Sequence, residues 1–204
     1  MSSSTAPKPK APTSPDVARS LQIQHAINEF NAPLLPFEVV VLDSRLSGFE
    51  QDQTKLSELL AEAMQQSSET WHDNAPAEAV MNDSKNLSKR AQETLHVMRH
   101  HEIIGYPNDE AKVTLGSVVG IQFKGDPDTE HYLLTGNVRE IPGAVAERLP
   151  EGTNAVTLAS PLGESLYGSD LGDDVAYRVG ERTMHVTVAT IQQMGKLLTE
   201  KSAE

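Results

Sequence analysis

Cysteine is absent from the 204 residues, which removes disulfides, thiolate zinc sites and cysteine nucleophiles at once. Aromatic residues make up only 4%, so most burial has to come from Leu, Val, Ile and Ala. No apolar run approaches the roughly 18 residues a membrane span needs, and the opening MSSSTAPKPKAPTSP lacks the apolar stretch of a secretory signal. A soluble cytoplasmic protein without a membrane partner is therefore expected. Positive charge is also scarce. Seventeen Lys and Arg stand against 29 Asp and Glu, a net charge of -12, so contact with the phosphates of naked nucleic acid meets a repulsive mean field. Direct, sequence-specific nucleic-acid binding is not expected. There is no Walker loop, dinucleotide fingerprint or nucleophile elbow.

Apolar residues amount to 38%, and the mean hydropathy is -0.39. That is little for one large core in a chain of this length and suits an elongated architecture with a modest core. Residues 1–40 read as a flexible extension. Within it, residues 1–15 are Ser, Pro, Ala, Lys and Thr, a composition that cannot offset ordering entropy. Val17, Leu21, Ile27 and Phe30 fall near helical spacing, which admits a short amphipathic helix over 16–30 before the break NAPLLP at 31–36.

From Leu42 the apolar positions Leu42, Leu46, Phe49, Leu56, Leu60 and Ala63 advance in alternating steps of four and three, with Gln53 and Ser67 in the two remaining seam positions. A second seam follows in Val80, Leu87, Ala91 and Met98, with Ser84 and Thr94 as its polar members and Leu95 alongside. Two such seams separated by a short polar stretch predict an antiparallel coiled-coil hairpin over 41–105. The turn lies in SSETWHDNAP at 67–76, where Asp73 or Asn74 can cap the second helix and Pro76 suits its first turn. A first helix of about 27 residues would project around 40 Å. Gly105 and Pro107 are expected to close the second helix.

The texture then changes to short strand-like runs at Val113–Leu115, Val118–Phe123, His131–Thr135, Ala155–Leu158, Val175–Val179 and Met184–Ile191, with turn residues such as GDPD at 125–128 between them. One short helix, Pro161–Tyr167, interrupts the series. Residues 106–192 thus read as a small antiparallel domain of the α+β class, with 193–204 as a tail. Ser160 can cap the short helix, Pro161 fits its first position, Gly168 can supply the positive φ that ends it, and Gly172-Asp173 makes a turn.

The stretch VTLASPLGESLYGSDLGDDVAYRVGERTMHVTVATI at 156–191 resembles the carboxy-terminal, FKBP-like half of the GreA/GreB family of bacterial transcription elongation factors. VTLGSVVGIQF at 113–123 and HYLLTG at 131–136 are similar to the opening strands of that domain, in order and spacing, and the hairpin precedes them as in the family. The likeness spans about 42–191. It implies a factor that binds RNA polymerase, enters its secondary channel with the hairpin, and stimulates cleavage of backtracked RNA or rescues paused complexes. Such a factor has no catalytic residue of its own; the polymerase cuts. The resemblance further implies that the corner Ser160, Pro161, Leu162 and Gly163 meets the channel rim, although these residues also simply build the fold. A prolyl isomerase activity is not expected, since fold alone does not supply it.

Between Leu56 and Ser84 stand Glu58, Glu62, Glu69, Asp73, Glu78 and Asp83 without one Lys or Arg, while Lys55, Lys85, Lys89, Arg90 and Arg99 lie nearer the base. Carboxylates on an extended probe suit a hard cation such as magnesium. In the cleaving members of the family, two tip acids help hold a magnesium ion shared with the polymerase. No tightly bound cofactor is expected beyond that shared ion. The family tip reads Asp-Leu-(Arg/Lys)-Glu-Asn-(Ala/Gly). Asp73-Asn74-Ala75 falls on its Glu-Asn-Ala, with Asp for Glu, and the first Asp falls on Thr70, with Glu69 one residue further back. Glu69 and Asp73 are the candidate metal-holding acids, and Trp71, His72 and Asn74 complete the candidate tip. Against this stands the plainer reading in which Asp73 and Asn74 cap a helix and the other acids solvate a rod.

Two alternatives follow. A non-cleaving regulator would occupy the channel and inhibit or retune transcription, as Thr70 in place of the first tip acid favours. An adaptor would bind some other protein through the amino-terminal extension. His96 and His100, at i, i+4 with His101 and Glu102 adjacent, have ligand spacing but lack the zinc-hydrolase glutamate, so a solvated helix face is expected. No aromatic-lined pocket is evident among Phe123, Tyr132, Tyr167 and Tyr177. A monomer is expected.

Overall fold

A computed structural model describes residues 32–66, 75–107 and 112–200. Strand β1 (Ala32–Leu34) leads into helix α1 (Pro36–Gln66); helix α2 (Ala75–Arg99) returns and runs into β2 (His101–Ile103). Then come β3 (Ser117–Phe123), β4 (Thr129–Thr135), the one-turn α3 (Gly143–Ala146), β5 (Asn154–Thr157), α4 (Pro161–Leu166), β6 (Asp174–Val179), β7 (Arg182–Gln193) and α5 (Met194–Glu200). The class is α+β, and among the described residues no helix is long and apolar enough to cross a membrane.

The five longer strands form one sheet in the order β5-β4-β3-β7-β6. The sequence reading of a purely antiparallel sheet is corrected here: β4 and β5 pair in parallel, Leu133 opposite Ala155. A parallel neighbour requires a crossover, and residues 136–153, carrying α3, supply it. Val113–Leu115 is likewise no strand. Its neighbour Lys112 makes a single bridge to Asp170, and Val113 exchanges backbone hydrogen bonds with Gly168 and Ser169.

Alternate residues of β3 and β4 feed two cores. Val118 and Leu133 face one side with Leu34, Leu35, Phe37 and Leu42 from the hairpin base and Met194 from α5. Val119, Ile121 and Leu134 face the other, with Leu162 and Leu166 of α4 and Val175, Val186 and Val188. A sheet covered on both faces loses the polar alternation of a half-exposed one, which explains the unbroken run SVVGI.

Within the described residues most expected seam positions are less exposed than their neighbours, Gln53 being an exception, and Ser67 lies outside those residues. Along residues 51–65 of α1 only Leu56, Leu60 and Ala63 escape full exposure, and along α2 the protected residues include Val80, Ser84, Leu87, Ala91, Thr94 and Met98. The Gln53 side-chain amide donates to Ser84 Oγ at 3.2 Å, so the helices run antiparallel. At 31 and 25 residues they measure about 46 and 37 Å. Two boundaries differ from expectation. The first helix starts at Pro36 rather than Leu42, and the second ends at Arg99 rather than at Gly105, because residues 101–103 are drawn into parallel pairing with 32–34. Ordered structure therefore includes 32–40, assigned from sequence to the extension, and α5 occupies the expected tail.

Candidate functional site

The root of the hairpin is set by Leu35-Pro36-Phe37-Glu38. Pro36 takes the first helical position, where its missing N–H costs nothing. Glu38 reaches back so that its carboxylate accepts the Leu35 backbone N–H at 2.9 Å, the glutamate half of a capping box. The same carboxylate accepts three consecutive N–H groups from the sheet domain: Gly136 at 3.0 Å, Asn137 at 2.7 Å and Val138 at 2.8 Å. Glu38 is fully buried, yet four donors surround its charge, the condition under which a buried carboxylate is tolerated. Gly136 has to be glycine, since a Cβ there would strike the Pro33 carbonyl. Thr135 Oγ1 holds the loop from behind by donating to Val138 O at 2.7 Å. Beside this lock, burial pushes the Tyr106 phenol above its usual value, and the field of Glu38 adds to the shift.

Glu38 escaped the reading from sequence. The Pro-x-Glu spacing after an apolar residue was its signal, masked by reading NAPLLP as a break.

Beyond this root the finger is covered on one side only. Glu58, Glu62, Glu78 and Asp83 are all exposed, as the acidic distal half requires. Basic residues of the near half pair locally on the surface: Lys55 with Asp52 at 3.1 Å and Lys89 with Glu93 at 4.0 Å. Arg45 meets Glu140 of the sheet domain at 3.4 Å, an exposed contact of small weight. Helix α2 begins at Ala75 with Pro76 in its first turn. Glu69, Thr70, Trp71, His72, Asp73 and Asn74 lie outside the described residues.

At the other candidate corner, Ser160 caps α4: its Oγ accepts the Gly163 N–H at 3.1 Å and donates to Thr157 O at 2.7 Å. Pro161 follows at the first helical position, and Gly168 leaves the helix with φ 75°. The four residues separate in role. Pro161 is exposed and Ser160 half-buried, whereas Leu162 and Gly163 are buried; Leu162 sits in the second core, and a Cβ on Gly163 would meet the Thr157 carbonyl.

No aromatic-lined pocket is evident from the sequence, yet two of the tyrosines meet beside this corner. Tyr132 and Tyr177, with Arg139, Val156, Pro161 and Leu162, line an open depression of about 250 Å³. The tyrosines come from β4 and β6, which are separated in the sheet by β3 and β7, so only the curl of the sheet brings them together. Partial burial, then the hydrogen bond to Glu130 (2.6 Å) and its charge, push the Tyr132 phenol up to about 12. Burial and Glu130 raise Tyr177 as well.

His96 and His100 are exposed, with ring centroids 4.6 Å apart. The Nδ1 atoms of His100 and His101 sit 3.0 and 2.7 Å from the carbonyls of His96 and Met98. No group of three or more His, Cys, Asp or Glu placed to hold a metal occurs among the described residues.

No family model matches the chain, and no curated protein matches it. Among solved structures it is similar to GreA factor homolog 1 (Gfh1) of Thermus thermophilus, at 19% identity over 79% of this chain and 99% of that one, with a TM-score of 0.35. It is also similar to Gfh1 of Thermus aquaticus, at 18% identity over 79% and 98%, TM-score 0.36. A prokaryotic transcription elongation factor GreA/GreB of Nitrosomonas europaea is similar at 16% identity over 56% and 92%, TM-score 0.32.

Proposed function

We propose that this protein is a transcription factor of the GreA/GreB kind, which docks its FKBP-like sheet domain on the rim of the secondary channel of RNA polymerase and inserts the hairpin. The observation that carries this reading is the finger itself. Two antiparallel helices are covered only along their mutual seam, rooted by the buried Glu38 carboxylate, and acidic without interruption over their distal half. Beyond the root residues Phe37, Val41 and Leu42, the pair of helices, about 40 Å long, adds little to the core of its own chain, so its length asks for a cavity elsewhere. The residue-level likeness at 156–191, 113–123 and 131–136 supports the same reading.

The rim contact falls to Pro161 and half-buried Ser160, since Leu162 and Gly163 are engaged within the fold. At the tip, Glu69 and Asp73 are the acids that would share a magnesium ion with the polymerase, and the factor would stimulate the polymerase's own cleavage of backtracked RNA. A second reading keeps the docking and drops the cleavage; it is favoured by Thr70 standing where the family pattern has an acid.

The test is a backtracked elongation complex with magnesium, incubated with the full chain. Short RNA products are expected. Binding without products would leave the channel-occupying regulator, and failure to compete with a known channel-binding factor would refute both readings.

A further inference from the structure

The five-stranded sheet ends in two unequal edges. At one, β5 offers four residues. At the other, β6 offers six, DVAYRV, with β7 as its strand partner on one side and none among the described residues on the other. Edge strands are commonly blunted by lysine, proline or a bulge. β6 has neither Lys nor Pro, and its register with β7 runs unbroken from Asp174 opposite Thr187 to Val179 opposite Arg182.

The backbone groups which that edge presents follow from the turn. Gly180 and Glu181 alone join β6 to β7, with Gly180 at φ 60°. In such a hairpin the flanking pair, Val179 and Arg182, exchanges both backbone hydrogen bonds. Bonded pairs recur at every second residue, so Tyr177 and Val175 also bond inward to β7. The Val188 N–H donating to Asp173 O at 2.9 Å has the same parity. Asp174, Ala176 and Arg178 therefore turn their N–H and C=O groups outward. All three residues are exposed, and no backbone partner for these groups occurs among the described residues.

We propose that β6 pairs antiparallel with β6 of a second copy of this chain, about a two-fold axis through Ala176. In this register the strand is its own complement. Asp174 falls opposite Arg178 of the second copy, Ala176 opposite Ala176, and Arg178 opposite Asp174. These are the residues that turn outward, so about six backbone hydrogen bonds join the copies. On the other face, Val175 of the second core comes beside half-buried Tyr177 of the second copy and extends that core across the axis. Within one copy, Asp174 accepts the Thr187 hydroxyl at 2.6 Å, and neither it nor Arg178 has an ion pair among the described residues. Asp173, Glu181 and Arg182 lie outside the facing pairs, so the complement rests on Asp174 and Arg178 alone. Sliding one strand by two residues takes both charges off their complements. Val179 and Leu171, 59% and 64% exposed, lie at opposite ends of this edge, and antiparallel pairing brings the Val179 end of one copy to the Leu171 end of the other.

One strand edge is a small interface, so the dimer is expected to be weak and to form as concentration rises; the monomer expected from sequence is then its dilute form. Sedimentation equilibrium of the full chain measures it. Because the axis sets each charge against the other, Asp174→Arg alone, or Arg178→Asp alone, places like charges opposite one another on both sides of the axis. Each is expected to weaken association about tenfold or more. An equimolar mixture of the two variants should recover it, since every facing pair is again of opposite sign, and so should the chain carrying both substitutions. A monomer at every concentration, a dimer indifferent to the single substitutions, or a mixture no more associated than either variant by itself would each overturn the proposal.

Discussion

The Glu38 carboxylate accepts the backbone N–H of Val138 at 2.8 Å across a sequence separation of 100 residues. The first turn of α1 thereby becomes part of the loop that follows β4, and the finger inherits its direction from the sheet. A rod attached only by exposed pairs such as Arg45–Glu140 would swing about its root. Four charge-assisted bonds to a buried carboxylate oppose that swing.

Truncating this lock should be costly. Each buried donor left without a partner costs roughly 1–3 kcal/mol, so Glu38→Ala is expected to lower stability by about 3 kcal/mol or more. Glu38→Gln replaces one acceptor oxygen with an NH₂ that faces N–H donors, and should recover little of it. Urea unfolding of the three proteins decides: a glutamine variant as stable as the parent would show that the charge is dispensable.

The hairpin was legible because its seam is a local, periodic signal: Leu56, Leu60 and Ala63 are the protected residues along 51–65, as their spacing requires. The short α4 was legible from Ser160, Pro161 and Gly168 for the same reason. What escaped depends on contacts remote in sequence. Nothing in Ala32–Leu34 announces a partner at 101–103, nothing in Thr135–Val138 announces a carboxylate from residue 38, and the meeting of Tyr132 with Tyr177 depends on how far the sheet curls. The parallel β4–β5 pair was missed because strand direction is decided by the crossover, not by the strands. The candidate tip, Glu69 to Asn74, is read from sequence alone.

The phenol of Tyr132 gives a pH prediction. Its folded value is raised to about 12, above the ordinary value of about 10, so the neutral form is the one the fold favours. Its stabilising contribution is complete below about pH 10 and is lost as pH climbs through about 12. Phenolate absorbance should show this tyrosine ionising late, and Glu130→Ala, which removes both the acceptor and its charge, should bring the midpoint down. A midpoint indifferent to Glu130→Ala would leave burial as the sole cause.

The corner at α4 separates folding from docking. Leu162→Ala empties part of the second core and should cost about 2–4 kcal/mol by urea unfolding. Pro161→Glu places an acid at an exposed helix start, where it is tolerated, and should change stability by less than about 0.5 kcal/mol. If this corner meets the polymerase rim, Pro161→Glu nevertheless weakens binding in a competition assay. Unchanged affinity would remove the corner from the interface.

At the tip, Glu69→Ala with Asp73→Ala should abolish RNA products from the backtracked complex without loss of polymerase binding, if these acids share the metal. Asp73→Glu restores the side-chain length of the resembled pattern, and because metal chemistry tolerates little misplacement, it should raise the cleavage rate. Products that persist in the double alanine variant would assign the metal to the polymerase alone.

Gln53 and Ser84 form a polar layer in the middle of the seam to which both helices contribute a side chain, 3.2 Å apart. A neutral hydrogen bond that competes with water contributes about 1 kcal/mol net, whereas an apolar pair at the same level buries side chains from both helices. Gln53→Leu with Ser84→Ala is therefore expected to stabilise the hairpin by about 1 kcal/mol. Ser84→Ala alone should be close to neutral, because exposed Gln53 turns back to water. The helical dichroism followed through urea unfolding measures each variant, and the two single variants close the cycle. A double variant less stable than both singles would mean that the polar layer fixes the register of the two helices, so that replacing it lets them slip.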